Sequence, residues 1–131
     1  MNHMKALVLV MATACISCAA LSIQKPICKG LPDCYQLYNK LYYDGALPVA
    51  DVAYGPCPIA NVMACTFKDH DGNFIIRLLP KYNVAPDTAH FNLLHETCHV
   101  AHWNEELEDH GPVFQKCMHR LSDIGAFESI W

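Results

Sequence analysis

The sequence predicts a single α+β domain with an N-terminal helix, a three-stranded sheet of antiparallel type and two C-terminal helices. In three segments, apolar residues recur every three or four positions, the spacing of a helix packed on one side. Between the first and second of these segments lie short runs rich in β-branched and aromatic residues, separated by Gly, Pro, Asn and Asp, as strands are. With 131 residues, 53% of them hydrophobic, the chain is long enough for one domain with its own core.

The first twenty residues predict export. Lys5 gives a basic start, an apolar run follows over Ala6–Ile16, and Cys18-Ala19-Ala20 supplies the small residues that a signal peptidase reads. The apolar run is too short for a comfortable membrane span. Two alternatives remain open, a buried N-terminal helix and a lipid anchor on Cys15 or Cys18. We therefore expect a secreted or periplasmic protein whose membrane contact is limited to the signal sequence or an anchor.

Residues 21–32 predict a linker, because Pro and Gly punctuate them and no apolar period survives. The domain is then expected over residues 33–131. Asp33 is a suitable N-cap for the first helix, and Asp44-Gly45 is a suitable end. The apolar stripe of this helix consists of Cys34, Leu37, Tyr38 and Leu41.

Three strands are expected over residues 49–54, 61–68 and 74–79. Between the second and third strands, residues 69–73 (DHDGN) are rich in residues that accept a positive φ, which predicts a hairpin turn.

Two helices follow the sheet. Asp87 is a suitable N-cap for the first of them, whose predicted apolar stripe is Phe91, Leu94, Cys98 and Ala101. Gly111-Pro112 is expected to open the last helix, since proline suits a first turn, and Gly125 to end it. The apolar stripe of the last helix consists of Phe114, Cys117, Met118 and Leu121.

The cysteines agree with export. The chain has eight, and an even number follow residue 20, as expected of disulfides in a small exported domain. Pairing of close cysteines predicts Cys28–Cys34, Cys57–Cys65 and Cys98–Cys117, the last joining the two C-terminal helices. No CxxC pair occurs among the cysteines that follow residue 20, which excludes a zinc ribbon in the expected domain. The alternative is a set of free, buried cysteines in a reducing compartment.

The chemistry is expected at His95-Glu96-Thr97-Cys98-His99, an HExxH motif on the predicted central helix. Histidines four residues apart leave the same face of a helix and can hold one zinc ion, and Glu96 lies beside them as a general base. A hydrolytic zinc site takes three protein ligands and keeps a fourth position for water. His110, beyond a loop, is the best candidate for the third ligand.

The third ligand has rivals. His102 lies on nearly the same helix face as His95, but about 10 Å further along the axis, too far to share one ion. A carboxylate from the acidic loop could also serve, although we expect that loop to be solvated, to support His110 from outside the ligand set or to repel anions. We expect no functional role for the lone histidines elsewhere. The loop acids are Glu105, Glu106, Glu108 and Asp109, and the lone histidines are His3, His70, His90 and His119.

The net charge of the chain bears on whether its partner is a nucleic acid or a polypeptide. The net charge is −4, and removing residues 1–20 leaves eight basic against thirteen acidic residues. This balance disfavours a phosphate backbone as partner and favours a protein or peptide substrate.

Three segments together resemble the SprT-like, or Spartan-type, zinc metallopeptidases: Leu37–Pro48 (LYNKLYYDGALP), His95–His99 (HETCH) and His110–Phe114 (HGPVF). The resemblance spans about Asp33 to Leu121. It implies a small zincin-like domain, zinc held by His95, His99 and His110, and Glu96 as the catalytic residue. Gly111 and Phe114 look like the turn and the anchoring aromatic of that family.

The sequence departs from the family in having no cysteine-pair zinc ribbon, no basic DNA-binding region and a predicted signal sequence. We therefore expect a zinc metallopeptidase, a hydrolase that attacks peptide bonds with a metal-activated water and with Glu96 as base. Two alternatives are a non-catalytic, zinc-stabilised binding domain and a DNA-associated protease of the Spartan type. Glu96 favours catalysis, because a structural zinc needs no base.

Overall fold

The computed structural model describes residues 28–128, and this part of the chain has the predicted α+β class. The predicted signal sequence and most of the predicted linker lie outside the described residues. A turn of 3-10 helix, Pro80–Tyr82, follows the last strand. The other described elements are, in chain order, α1 (Leu31–Tyr42), β1 (Ala50–Tyr54), β2 (Ala64–Lys68), β3 (Phe74–Leu78), α2 (Pro86–Ala101) and α3 (Pro112–Asp123).

The sheet is mixed, so the prediction of an antiparallel-type sheet was wrong in part. Its strand order is β1-β3-β2: β3 lies in the centre, parallel to β1 and antiparallel to β2. The predicted hairpin joins β2 to β3, with Gly72 at a φ of 83° and the Asp69 carboxylate accepting backbone N–H groups of the turn. The loop after β1 carries the chain past the central position, which β3 then fills. Strand patterns in the sequence do not encode this order.

Three elements begin at residues other than those predicted, two helices and one strand. Helix α1 begins at Leu31 rather than Asp33; Asp33 lies in the first turn and accepts the Lys29 N–H. Helix α2 begins at Pro86, after Ala85, rather than being capped by Asp87. Strand β2 begins at Ala64 rather than residue 61, because Asn61 takes a φ of 60° that no strand accommodates.

Helix α2 is the central element, packed against both other helices and against β2 and β3. Its buried face is shifted from the predicted stripe: Leu94 and Cys98 are fully buried, whereas Phe91 and Ala101 are only partly so, and Leu93 and Val100 are buried in addition. The neighbouring face of the helix is therefore left for the site.

The structure contains the three disulfides that close pairing predicts: Cys28–Cys34, Cys57–Cys65 and Cys98–Cys117. Disulfides persist in oxidising, extracellular-type environments. Among the described residues, no helix combines the length and apolar character needed to cross a membrane.

Candidate metal centre

Three imidazoles converge at one point. His95 and His99 leave the same face of α2 one turn apart, and His110 comes from the loop that leads into α3. The Nε2 atom of His95 lies 3.0 Å from that of His110 and 3.3 Å from that of His99, and the last pair is 3.2 Å apart. The structure thus brings together all three residues that the sequence predicted as ligands.

This spacing matches what a single metal ion requires. Nitrogen ligands about 2.0–2.1 Å from a tetrahedral zinc ion lie about 3.3–3.4 Å from each other. The observed separations of 3.0–3.3 Å are close to that geometry. The three residues form a candidate metal-binding group.

The ring of Phe114 packs against all three imidazole rings. Its centroid lies 4.7 Å from that of His95, 4.5 Å from that of His99 and 4.7 Å from that of His110. Phe114 is in the first turn of α3, four residues after His110. A single aromatic side chain therefore fixes the positions of rings from two different elements.

The environment favours neutral imidazoles. Burial, together with the nearby His99 and His110, lowers the pKa of His95 to about 4. Burial also lowers the pKa of His99, an effect that the Asp109 carboxylate opposes. A histidine must be neutral to bind a metal through its lone pair, so protons compete weakly for these two ligands near neutral pH.

Asp109 lies beside two of the three histidines. Its carboxylate oxygens lie 3.6 Å from Nδ1 of His99 and 3.8 Å from Nδ1 of His110, on the ring nitrogens that face away from the metal position. Carboxylates placed behind metal-binding histidines orient the rings and make them better donors.

Glu96 is almost completely buried, with 3% of its surface exposed, and lies between α2 and β2. The hydroxyl of Thr66 on β2 donates a hydrogen bond of 2.6 Å to its Oε2 atom. Burial raises the pKa of Glu96 to about 7; the Thr66 hydrogen bond opposes this rise and the negative charge of Asp109 adds to it. A carboxyl group with such a pKa can take up and release a proton at neutral pH.

The three histidines and Glu96 line one cleft of about 660 Å³. Strand β2 forms one wall, α2 the floor, and the loop between α2 and α3 the other wall. The predicted rival ligands lie in that loop or beside it, and none of them is among the residues that converge on the candidate metal position. His102 pairs with Glu105 at 2.9 Å, and Glu106 binds the start of α3.

The remaining histidines within the described part do not form a comparable group. Cys28, Cys34 and His90 lie close together, but the two sulfurs form a disulfide and provide no thiolate for a metal. His90 contacts the hydroxyl of Tyr38 through Nδ1. His70 is exposed beside Asp71, His119 is also exposed, and His3 lies outside the described residues.

Sequence reasoning missed two residues of the site. Thr66 is far from Glu96 in the chain, and only the strand order brings it there. Glu106 was assigned to a solvated loop. A signal for its role did exist: α3 begins at Gly-Pro without a local side-chain cap, so its free N–H groups need an acceptor from elsewhere.

A scan against models of protein families finds no match to this chain, and a search of curated proteins finds no relative. Function is therefore inferred from the chemistry of the site.

Proposed function

We propose that this protein is a zinc-dependent metallopeptidase in which His95, His99 and His110 hold the metal and Glu96 is the general base. The observation that carries the proposal is the convergence of three imidazoles beside the buried Glu96, which shares helix α2 with two of them. A structural zinc site normally fills all four positions with protein ligands, whereas this group offers three. The resemblance to SprT-like peptidases points the same way.

The donor set fits zinc, because three imidazole nitrogens are a common ligand set of catalytic zinc. When bound, zinc would lower the pKa of a coordinated water to about 7 and polarise the carbonyl group of a substrate. The chain supplies the remaining parts of the chemistry.

Glu96 receives and returns the proton. The Thr66 hydroxyl holds Oε2, and within residues 28–128 no hydrogen bond engages Oε1, which is left to accept a proton. As a carboxylate beside the three histidines in the same cleft, Glu96 can take the proton of the attacking water and then pass it to the leaving amine. Because Glu96 is almost completely buried, bulk water has little access to its hydrogen bond with Thr66.

The cleft suits an extended polypeptide. Strand β2 is at the edge of the sheet and pairs only with β3 among the described strands, so its outer edge faces the cleft. An edge strand can pair with the backbone of a bound peptide. Ile59, Met63 and Leu107 are exposed apolar residues along the cleft, and they suit apolar side chains of a substrate.

Two further observations separate this proposal from a DNA-associated protease. The three disulfides favour an oxidising compartment, away from chromosomal DNA. Acidic side chains, including Glu108 and Asp109, line the cleft and would repel a phosphate backbone. We therefore propose unfolded or extended polypeptides in an extracellular compartment as the substrate class.

The test is Glu96→Gln, with Glu108→Gln as a matched control that removes one negative charge from the same cleft. We expect Glu96→Gln to keep about one zinc per chain and to lose cleavage of a denatured protein by at least about a hundredfold. Glu108→Gln should retain cleavage within about threefold, because among the described residues its side chain forms no hydrogen bond or ion pair with the three histidines or with Glu96.

Cleavage by Glu96→Gln at the rate of the wild type would refute the assignment of the base. A wild-type protein that binds zinc but cleaves no polypeptide would instead support the non-catalytic binding domain.

A further inference from the structure

The side chain of Glu106 closes the gap between the acidic loop and α3. Its Oε2 atom accepts the N–H of Val113 at 3.0 Å, and its Oε1 atom accepts the N–H of Phe114 at 2.8 Å. Helix α3 has no side-chain cap from its own N-cap residue, Gly111. Glu106 therefore satisfies two free N–H groups of the first turn and places a negative charge at the positive end of the helix.

Gly111 lies directly against the Glu106 carboxylate. A Cβ atom at residue 111 would lie 2.4 Å from Oε2 of Glu106 and 2.8 Å from its carboxyl carbon. The backbone of Gly111, with φ −71° and ψ −167°, is open to any residue. The restriction to glycine thus comes from the carboxylate of Glu106 and not from the backbone.

The contact lies next to the third ligand. His110 directly precedes Gly111, and Phe114, whose N–H is held by Glu106, contacts all three imidazole rings. The backbone carbonyl of His110 also accepts a hydrogen bond from the Gln115 side chain in the same turn. Fixing the first turn of α3 therefore fixes both His110 and the ring on which the ligands rest.

We propose that Glu106 is a positioning residue for the metal site: by binding the start of α3 over Gly111, it holds His110 and Phe114 in the geometry that the ion requires. The inference rests on the proposed metal site, and not on peptidase activity. It assigns a specific task to one member of a loop that the sequence presents only as acidic.

The test measures affinity for Zn²⁺, and for Co²⁺ as a spectroscopic probe of tetrahedral geometry, in the full chain with its disulfides intact. We expect Glu106→Ala to bind Zn²⁺ at least about tenfold more weakly than the wild type and to show a weakened tetrahedral Co²⁺ band. Glu106→Gln keeps one acceptor oxygen, so its Zn²⁺ affinity should lie between those of the wild type and Glu106→Ala. Glu108→Ala is the matched control, with the same loss of charge in the same loop and an affinity equal to that of the wild type.

Gly111→Ala supplies a second, independent variant. Its methyl group should displace the Glu106 carboxylate, so we expect about the same loss of affinity as in Glu106→Ala. Because both changes break one contact, the double variant should lose no more than about twofold beyond either single variant. Strictly additive losses would contradict the shared contact.

Equal Zn²⁺ affinities for Glu106→Ala and Glu108→Ala would overturn the proposal. If Glu106→Ala fails to fold, Glu106→Gln decides, with wild-type affinity refuting the role. Failure of the peptidase proposal would give a different result. The wild type would bind Zn²⁺ tightly and Glu106→Ala would bind it more weakly, but neither protein would cleave a polypeptide.

Discussion

At the scale of single residues, burial in the site disfavours the charged forms of both His95 and Glu96. The pKa of His95 falls to about 4 and that of Glu96 rises to about 7, in both cases chiefly through burial. The two shifts serve different ends: a neutral imidazole binds a metal, and a carboxyl group titrating near neutrality moves protons. Both shifts cost stability in the metal-free protein, by an amount that depends on pH.

Glu96→Gln should reveal this cost in the stability of the metal-free protein. An unfolded Glu96 loses its proton near pH 4.5, whereas the buried one holds it to about pH 7. The wild-type free energy of unfolding therefore decreases across this window as pH rises, and the variant lacks that decrease. Above pH 7 we expect the variant to be more stable by on the order of 3 kcal/mol, with the advantage vanishing below pH 4.5.

Urea unfolding of both proteins in the presence of chelator, at pH 4.5 and pH 8, measures this difference. A gap between wild type and Glu96→Gln that is the same at both pH values would contradict it.

Thr66 should matter for proton transfer and not for metal binding. Thr66→Val keeps the shape of the side chain and removes the hydroxyl that holds Oε2 of Glu96. We expect kcat for peptide cleavage to fall about tenfold or more while the Zn²⁺ affinity stays within about twofold of the wild type. Steady-state kinetics beside a zinc titration checks both, and an unchanged kcat would remove Thr66 from the account.

The sequence predicts the ligands better than their supports, for a physical reason. His95, Glu96 and His99 lie within one helical turn and a half, so their geometry is local and can be read from spacing. Thr66 contacts Glu96 from 30 positions earlier in the sequence, and Glu106 contacts Phe114 across a loop. Nothing periodic marks either residue. Glu106 shows that a charge in an acidic run can have a fixed partner.

At the scale of elements, the Cys98–Cys117 disulfide joins the two helices that border the site. Cys98 lies between the ligands His95 and His99, and Cys117 lies one turn beyond Phe114. The Tyr43 hydroxyl contacts both sulfurs and the Thr97 side chain, which ties α2 and α3 to the end of α1. The distance between α2 and α3, and so the position of His110, depends on this link.

Removal of this disulfide should therefore weaken metal binding as well as stability. For Cys98→Ala/Cys117→Ala we expect a loss of about 3 kcal/mol in the free energy of unfolding and a loss of at least about tenfold in Zn²⁺ affinity. The control is Cys28→Ala/Cys34→Ala, which removes a disulfide remote from the ligands and should lower stability without lowering the affinity of the folded protein.

Chemical denaturation and zinc competition titrations measure the two quantities. Equal Zn²⁺ affinities in the two double variants would show that α2 and α3 hold their places without the bond.

The element types were predictable and their arrangement was not. Apolar periods mark α1, α2 and α3, and turn residues mark the β2–β3 hairpin. The parallel pairing of β1 with β3 depends on which strand reaches the centre of the sheet, a matter of packing over long separations. That same order places Thr66 on the cleft and, among the described strands, leaves β2 at the edge of the sheet, so the unpredicted part of the fold shapes one wall of the candidate site.

At the scale of the whole molecule, three disulfides and a well-buried central helix hold a cleft whose wall and floor come from different elements. Because the net charge is −4 and an acidic loop lies beside the cleft, we expect neutral or basic polypeptides rather than nucleic acid to bind there. Rigid attachment of the three helices explains how one short loop can deliver a metal ligand accurately.

The most direct test of the central claim is a titration of activity with metal. The protein is first freed of metal with a chelator, and cleavage of a denatured protein is then measured as Zn²⁺ is added back. We expect the rate to rise from background and to level off at one Zn²⁺ per chain, and we expect His110→Ala to stay at background throughout. Cleavage that survives complete removal of metal, or that never appears at one equivalent, would contradict the central claim.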